Sequence, residues 1–360
     1  MSSTTFRADV AEAEVLPPRV INLSELAQQW NWVGSAFRDT GQDWRHVSSQ
    51  GSPLPSWLPR RATLARVLAA QQALALLGDG PSVLVTHGPR PAMYGALLAG
   101  RRFPHMRHLA FSFNYTELPT GLVRRLMARA FRSVERFVVF SGMERRLYAD
   151  HFDLPVTRFD MLHWGVRPPD IDCNEPPAVQ GKYICALGSQ GRDYKTLMLA
   201  MRRLPRLKLV LVAAPENLRD LAIPSNVTVL TNIPLAQAMN ILAHSRCMVL
   251  PLKHNRVPCG HVSIVSAMHL GRAVIASESS GLDDYITPQA TALTFPAGDD
   301  VALAAAVATL HDDPALALKL GLGGQRFARE HCAEENTVGY LRRYLLSAAA
   351  TNDAARNRPR

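Results

Sequence analysis

Short apolar runs alternate with amphipathic segments along the first half of the chain. The runs predict strands, and the segments between them, with apolar positions three and four residues apart, predict helices. The predicted strands are Arg19–Leu23, Ser82–Thr86, His108–Phe113, Phe137–Ser141 and Phe159–Leu162. The predicted helices lie near Glu25–Asp39, Leu58–Leu77, Arg90–Arg101, Gly121–Val134 and Gly142–Phe152. Such alternation is typical of a doubly wound parallel sheet.

A polar, proline-rich stretch between Arg167 and Gly181 interrupts this alternation, which then restarts. The second set of predicted strands is Lys182–Leu187, Lys208–Ala213, Val227–Thr231, Arg246–Leu250 and Ala273–Ser277. Further helices are expected near Tyr194–Arg203, Pro215–Ala222, Leu235–His244, Val262–Leu270, Asp300–His311, Pro314–His331 and Glu335–Leu346. We therefore predict an α/β protein with two Rossmann-like domains, residues 18–167 and 182–334, joined by a linker at 168–181 and facing a cleft.

Length and composition agree with two globular domains. The chain has 360 residues, of which 47% are hydrophobic and 19% charged. No run reaches the ~18 apolar residues of a membrane-spanning helix. Residues 1–17 are expected to be a flexible leader that is not a secretory signal, and residues 349–360 a flexible tail.

The cysteines indicate a reducing compartment. Five of them, at positions 173, 185, 247, 259 and 332, include no C-x-x-C pair. An odd, unpatterned set favours free thiols over a disulfide framework. We therefore expect a cytoplasmic protein.

The net charge of +10 is unevenly distributed along the chain. Arg124, Arg125, Arg129 and Arg132 alternate with apolar residues in the predicted helix at Gly121–Val134. A basic amphipathic helix of this kind suits an anionic membrane surface or a phosphorylated lipid. The alternative is a solvated helix whose apolar side packs into its own domain.

One loop in the second half has the residues needed to hold phosphate. Gly188 and Gly191 permit a tight turn after a predicted strand, and Arg192 and Lys195 project beside the start of the next helix. A diphosphate leaving group requires fixed N–H donors and cations of this kind. A glycine-capped surface turn is the simpler explanation of the loop taken alone.

A second junction lies farther along the same half. The run from Cys259 to Ala276 is predicted to form a loop, a short helix, a glycine turn and a buried strand. Its amides belong to Gly260, His261, Val262 and Ser263. These N–H groups and the helix dipole would face a diphosphate.

Together these segments resemble the GT4-like glycosyltransferases of GT-B fold, known as glycosyl transferases group 1. The resemblance is carried by Leu187–Leu197, Cys247–Leu252, Gly260–Ala276, Ser279–Ile286 and Thr294–Asp300. It implies that residues 182–334 bind a nucleotide sugar, that residues 18–167 bind the acceptor, and that residues 335–348 form a closing helix that returns to the first domain.

The resemblance also implies an activity. A sugar would pass from a nucleotide diphosphate to an acceptor hydroxyl, in polysaccharide or glycolipid assembly, without a metal or cofactor. The acceptor would be a polyprenyl-diphosphate-linked oligosaccharide, with the protein peripheral on the inner face of the membrane. The arginine-rich helix would then face the lipid phosphate or the inner leaflet.

One departure from the family concerns the donor ribose. Family members carry a Glu before the Ala-Met of the donor helix and another Glu eight residues earlier. Here these positions are Ser266 and Pro258. Ser266 is expected to approach the ribose, although a hydroxyl lacks the charge-assisted acceptor strength of a carboxylate.

Three residues of the first half are candidates for catalysis. Asn114 occupies the place of a sugar-contacting His in retaining relatives, and Glu117 could act as general base on the acceptor hydroxyl. His87 follows another predicted strand and is an alternative base. Glu117 could instead cap the turn near Pro119 or pair with Arg124.

Other function classes find less support. The only D-x-D, Asp170-Ile171-Asp172, lies in the predicted linker, and there is no P-loop or G-x-S-x-G motif. Nucleic-acid binding is not expected, because the aromatic residues are not interleaved with the arginines. Two rival functions stay open: a GT-B epimerase acting on a nucleotide sugar, and an inactive GT-B subunit that activates a partner glycosyltransferase.

Overall fold

The computed structural model describes residues 18–25, 32–50, 54–78, 80–100, 102–103, 105–171, 175–253 and 258–356, with the backbone alone at residues 39 and 348–356. The predicted leader, Asp172, Cys173 and the last four residues of the predicted tail lie outside these ranges.

The first sheet has six strands in the order β2-β1-β3-β4-β5-β6. These strands are β1 (Arg19–Ser24), β2 (Trp44–Ser48), β3 (Ser82–His87), β4 (Met106–Phe111), β5 (Arg136–Val139) and β6 (Phe159–Met161). Strand β1 pairs in parallel with β2 and β3, with Asn22 opposite both His46 and Val85. All six residues of β3 are buried, which explains why it reads as an apolar run in the sequence.

The second sheet also has six strands, in the order β12-β11-β10-β7-β8-β9, and every neighbouring pair is parallel. Its strands are β7 (Ile184–Leu187), β8 (Leu209–Val212), β9 (Val227–Leu230), β10 (Cys247–Leu250), β11 (Ala273–Ser277) and β12 (Leu293–Phe295). The order reverses between β7 and β10, where the carboxyl ends of parallel strands leave a crevice for ligands.

Ten α-helices that lie wholly within the described residues accompany the sheets, and residues 32–35 are helical as well. They are α1 (Arg61–Ala75), α2 (Pro89–Ala99), α3 (Gly121–Phe131), α4 (Gly142–Phe152), α5 (Tyr194–Arg203), α6 (Leu235–Ala243), α7 (His261–His269), α8 (Asp300–Asp312), α9 (Pro314–His331) and α10 (Glu334–Arg356). Helices α4, α5 and α9 have the bounds that the sequence predicts, and α10 continues past the predicted Leu346.

The described residues divide into two compact units, those up to Leu109 together with those from Tyr340 onward, and those from Ala110 to Gly339. In the first unit, residues of α1 such as Ala70 pack on Ile21 and Leu84. In the second unit, α5 and α8 contribute to the apolar core on one face of the second sheet. Helices α6 and α7 contribute to the core on the other face.

The structure corrects three details of the predicted elements. The segment predicted as a helix at Pro215–Ala222 is a single 3₁₀ turn, Pro215–Leu218. It stops there because Arg219 has a ψ of 135°, outside the right-handed helical region. Strands β2 and β12 were not predicted, because most of their residues are only partly buried or exposed, so neither forms an apolar run in the sequence.

No single helix in the described part of the chain has the length and hydropathy of a membrane span. Among the described residues, the segments Asp300–Asp312 and Pro314–Ser347 have that length and hydropathy only when taken as one, and the chain bends by 101° between them.

Helix α9 approaches the turn after α7 closely at Gly321. A β-carbon at this position would collide with the carbonyl oxygen of Gly271. Gly321→Ala is therefore expected to destabilise the protein by about 1–3 kcal/mol, because the helix must move outward. Urea unfolding of the variant would show a lower midpoint with an unchanged slope.

Leu318→Ala, on the exposed side of the same helix where Leu318 is 62% exposed, is the control. It should shift the stability by no more than about 0.5 kcal/mol. Equal midpoints for wild type and Gly321→Ala would contradict the close approach.

Candidate functional site

The loop after β7 is built around a buried guanidinium. Gly188 has a φ of +113°, and the guanidinium of Arg192 lies 2.5–3.0 Å from where its β-carbon would be. Both the backbone conformation and the space therefore require glycine there. Arg192 itself is only 6% exposed.

All three nitrogen groups of Arg192 donate to neutral oxygens. Nε donates to the Leu187 carbonyl (3.3 Å), Nη1 to the Gln190 carbonyl (2.7 Å) and Nη2 to Ser263 Oγ (2.8 Å). No carboxylate among the described residues lies within ion-pair distance of it, and burial lowers the pKa of Arg192. A buried cation without a counter-ion is costly, and an anionic ligand would offset that cost.

The bond to Ser263 joins the two segments that the sequence singled out. Ser263 lies in the first turn of α7, which begins after Gly260 and has no side-chain cap. Its hydroxyl is buried against Arg192 and lies 3.5 Å from the Leu187 carbonyl. The N–H groups at the start of α7 and the Arg192 guanidinium therefore belong to one site.

The start of α5 is different, because a carboxylate already caps it. Asp193 accepts hydrogen bonds from the Thr196 amide (3.1 Å) and hydroxyl (2.6 Å). Lys195 is exposed on the first turn of this helix. Of the two helix starts proposed to face a diphosphate, only that of α7 is free of an anionic side-chain cap.

His261, the first residue of α7, is neutral. Burial lowers its pKa to about 4. Its Nε2 donates to the Gly281 carbonyl at 2.9 Å, which leaves Nδ1 as the lone-pair nitrogen. Its ring lies 4.9 Å from that of Tyr285.

Both positions that lack the family's glutamate have roles within the protein. The Ser266 hydroxyl donates to the Val262 carbonyl at 2.8 Å, so only its lone pairs are available to a ribose. Pro258 packs so closely on Gly281 that a β-carbon at 281 would collide with its ring.

The first-half candidates lie at the carboxyl ends of β3 and β4. His87 is buried and its Nε2 donates to Asn22 Oδ1 at 2.6 Å, while Asn22 Nδ2 donates to His46 Nδ1 at 3.0 Å. Burial, followed by the nearby His46, lowers the pKa of His87 to about 3. Asn114 and Glu117 are exposed in the segment between β4 and α3.

The arginines of α3 fall into two groups. Arg124 donates to Asp153 Oδ2 (2.8 Å) and to the His151 carbonyl (2.6 Å), which fixes it against α4. Arg125, Arg129 and Arg132 are exposed.

A mostly buried polar cluster next to α7 was not predicted from the sequence. Its members are Glu144, Tyr148, Asp284 and Tyr285, which lie on α4 and on the loop after β11. The Ser141-x-x-Glu144 spacing, typical of a capping box, could have revealed the first of these. Nothing in the local pattern marks Tyr285, because the hydrogen-bond partners of its hydroxyl, Phe140 and Trp164, are more than 100 residues away.

The second half of the chain matches a known family. Residues 182–313 match the model described as "Glycosyl transferases group 1". The chain is also 35% identical over 105 residues to the lipopolysaccharide core biosynthesis glycosyltransferase LpsD of Rhizobium meliloti (strain 1021). That match covers 29% of this chain and 30% of LpsD, so it spans less than a third of the relative.

Solved structures resemble nearly the whole chain. Sucrose-phosphate synthase from Thermosynechococcus elongatus aligns with a TM-score of 0.70 and 20% identity, covering 92% of this chain and 100% of the other. HepE from Anabaena, solved with UDP, aligns with a TM-score of 0.65 and 13% identity over 91% of this chain and 100% of its own. At these identities the likeness shows the fold alone.

The resemblance inferred from the sequence is confirmed by these matches. The two parallel sheets with helices on their faces agree with the predicted pair of Rossmann-like domains. Residues 182–313 therefore resemble the glycosyl transferases group 1 family, in a chain with the GT-B fold.

Proposed function

We propose that this protein is a glycosyltransferase that moves a sugar from a nucleotide diphosphate to an acceptor hydroxyl without a metal ion. The observation that carries the proposal is the buried Arg192 guanidinium, hydrogen-bonded only to neutral oxygens and joined through Ser263 to the uncapped start of α7. A diphosphate supplies the negative charge that this arrangement lacks.

In this reaction the bond between the sugar's anomeric carbon and the diphosphate oxygen breaks, and a bond from the acceptor oxygen to that carbon forms. The electron pair leaves with the nucleoside diphosphate. Arg192, Lys195 and the amides of His261, Val262 and Ser263 stabilise the charge that develops there. Because His261 is neutral, we assign it to a hydroxyl of the donor rather than to the diphosphate.

The acceptor proton must pass to a base, and Glu117 is our first assignment. It is exposed and follows the carboxyl end of β4, with Asn114 beside it. His87 is the weaker candidate, because an imidazole whose pKa is about 3 holds a proton poorly at neutral pH.

The relatives suggest the class of substrates. LpsD is named for lipopolysaccharide core biosynthesis, and HepE was solved with UDP. We therefore propose a nucleotide-sugar donor and a glycolipid or polyprenyl-diphosphate-linked acceptor. Ser266 would meet the donor ribose through its lone pairs.

Helix α3 is our proposed contact with the membrane. Leu122 is 80% exposed and Leu126 is 45% exposed, and they alternate along one stripe with Arg125 and Arg129. Exposed leucines between arginines suit the boundary between acyl chains and anionic headgroups. This would place the protein on the inner leaflet, beside a lipid-linked acceptor.

Donor turnover tests the proposed reaction. We expect release of nucleoside diphosphate from one member of a panel of UDP-, GDP- and dTDP-sugars, stimulated by membrane lipid extract. Arg192→Lys should lower the release about 100-fold, because an ammonium cannot replace the planar fork. Glu117→Gln should lower it by a similar factor if Glu117 is the base.

Arg206→Lys, an exposed arginine of the same domain, is the matched control and should turn over like wild type. Full activity of Arg192→Lys would contradict the diphosphate site. If Glu117→Gln alone remains active, the base lies elsewhere. A wild type that neither turns over nor binds any donor would favour an inactive subunit that activates a partner, as the loss of both glutamates at Pro258 and Ser266 allows.

Sedimentation with lipid vesicles tests the membrane contact. Wild type should bind phosphatidylcholine vesicles that contain phosphatidylglycerol more tightly than vesicles of phosphatidylcholine alone. Replacing Arg125 and Arg129 by Gln should weaken the anionic binding about tenfold or more. Replacing Leu122 and Leu126 by Ser should weaken it as well, because less apolar surface is buried.

Leu318→Ser, on α9, removes an equally exposed leucine as the control. Binding that does not depend on anionic lipid, or that survives all of the α3 substitutions, would show that this helix is not the contact.

A further inference from the structure

Tyr285 connects the start of α7 to residues that follow β5 and β6. Its side chain is 1% exposed. The hydroxyl donates to the Phe140 carbonyl at 2.8 Å and accepts from the Trp164 amide at 2.9 Å. The ring lies against the ring of His261, the first residue of α7.

Asp284, the residue before Tyr285, also bonds to residues near the ends of β5 and β6. Asp284 Oδ2 accepts from the Gly142 amide, at the start of α4, at 2.7 Å. Its backbone carbonyl accepts from His163 Nε2 at 2.9 Å. The carboxylate lies at the positive end of the α4 dipole, a favourable place for a negative charge. Two consecutive residues of the loop after β11 are therefore bound to Phe140 and to the start of α4.

Glu144 holds the other backbone group of Phe140, its N–H. Its Oε2 accepts from the Phe140 amide at 2.8 Å, and its Oε1 accepts from the Tyr148 hydroxyl at 3.0 Å. The Tyr148 oxygen in turn accepts from the Tyr115 amide at 3.2 Å. Tyr115 lies in the Asn114–Glu117 segment, which carries the proposed base.

These bonds form a continuous path. It runs from the Tyr115 amide through Tyr148 and Glu144 to the backbone of Phe140, and from there through Tyr285 to the ring of His261. One end of the path reaches the segment of Glu117, the proposed base for the sugar acceptor. The other end reaches the start of α7, where the nucleotide sugar is proposed to bind.

The polar groups along this path are paired with one another by hydrogen bonds. The N–H and the C=O of Phe140 are both bonded, to Glu144 and Tyr285. The hydroxyls of Tyr148 and Tyr285 each donate one bond and accept one. Glu144 is 1% exposed, and its carboxylate receives N–H and O–H donors. Removing one member leaves a buried partner unsatisfied, which costs about 1–3 kcal/mol.

We propose that Tyr285 and Glu144 are positioning residues for the transfer, which hold the Asn114–Glu117 segment at a fixed place relative to the start of α7. Neither residue touches the reacting atoms. They set the distance between the acceptor's base and the donor, and reaction rates respond steeply to such distances. This inference rests on the function proposed above, because it assigns Tyr285 and Glu144 to the geometry of that reaction.

Tyr285→Phe is the most direct test, because it keeps the ring and removes only the hydroxyl. We expect kcat for the donor found in the release assay to fall about tenfold or more, since the reacting groups lose alignment. The affinity for UDP, GDP or dTDP, measured by calorimetry, should stay within about twofold, because the Arg192 site is intact.

Glu144→Gln should have the same effect. Both carboxylate oxygens of Glu144 accept hydrogen bonds, and in Gln one of them is replaced by an NH₂ group, which would face the N–H or O–H that donated to that oxygen. The double variant should lose no more than the worse single variant, because both changes release the backbone of Phe140.

Tyr183→Phe is the matched control. The Tyr183 hydroxyl is also buried, and it donates to the Ile241 carbonyl at 2.9 Å, away from the path. This variant should lose a similar amount of stability in urea while its kcat stays at the wild-type value. If Tyr285→Phe also keeps its kcat, or if its loss appears entirely as weaker nucleotide binding, the positioning role is wrong.

Amide hydrogen exchange tests the inference separately from turnover. Peptides that cover residues 113–117 and 260–266 should exchange faster in Tyr285→Phe and in Glu144→Gln, but not in Tyr183→Phe. Unchanged exchange in both peptides would overturn the path whether or not the protein transfers sugar. Faster exchange in a protein that turns over no donor would instead count against the proposed function alone.

Discussion

The buried guanidinium of Arg192 determines how the candidate site is built. It takes the place of a β-carbon at Gly188, fills the turn after β7 and donates to Ser263 at the start of α7. The strand that opens the second sheet and the helix that faces its crevice are therefore joined through one positive charge. Because its protein partners are neutral oxygens, the charge is left to be balanced by a ligand.

This charge also distinguishes two helix starts that look alike in the sequence. Helix α5 is capped by the carboxylate of Asp193, which already accepts from the Thr196 amide and repels an anion. Helix α7 has no such cap. The neutral His261 beside it suits a hydroxyl rather than a phosphate. The site therefore separates into a diphosphate region at Arg192 and a sugar region at His261.

The sequence predicted the fold well because buried parallel strands appear as nearly unbroken apolar runs, as in β3 and β7. It failed at one edge of each sheet, where β2 and β12 are only partly buried. Arg192 and Ser263 were each predicted from the sequence as site residues. The hydrogen bond between them was not, because they are 71 residues apart and no local pattern links them. The path through Glu144 and Tyr285 was missed for the same reason.

Because both glutamates are absent and Ser266 offers only a hydroxyl to the ribose, donor binding depends mainly on the diphosphate region at Arg192. A crystal structure of the protein with UDP would test that claim most directly. We predict that a β-phosphate oxygen lies about 2.7–2.9 Å from the Arg192 guanidinium and near the first amides of α7. A diphosphate bound instead beside Asp193 and Lys195, with Arg192 contacting only its present oxygens, would contradict the account.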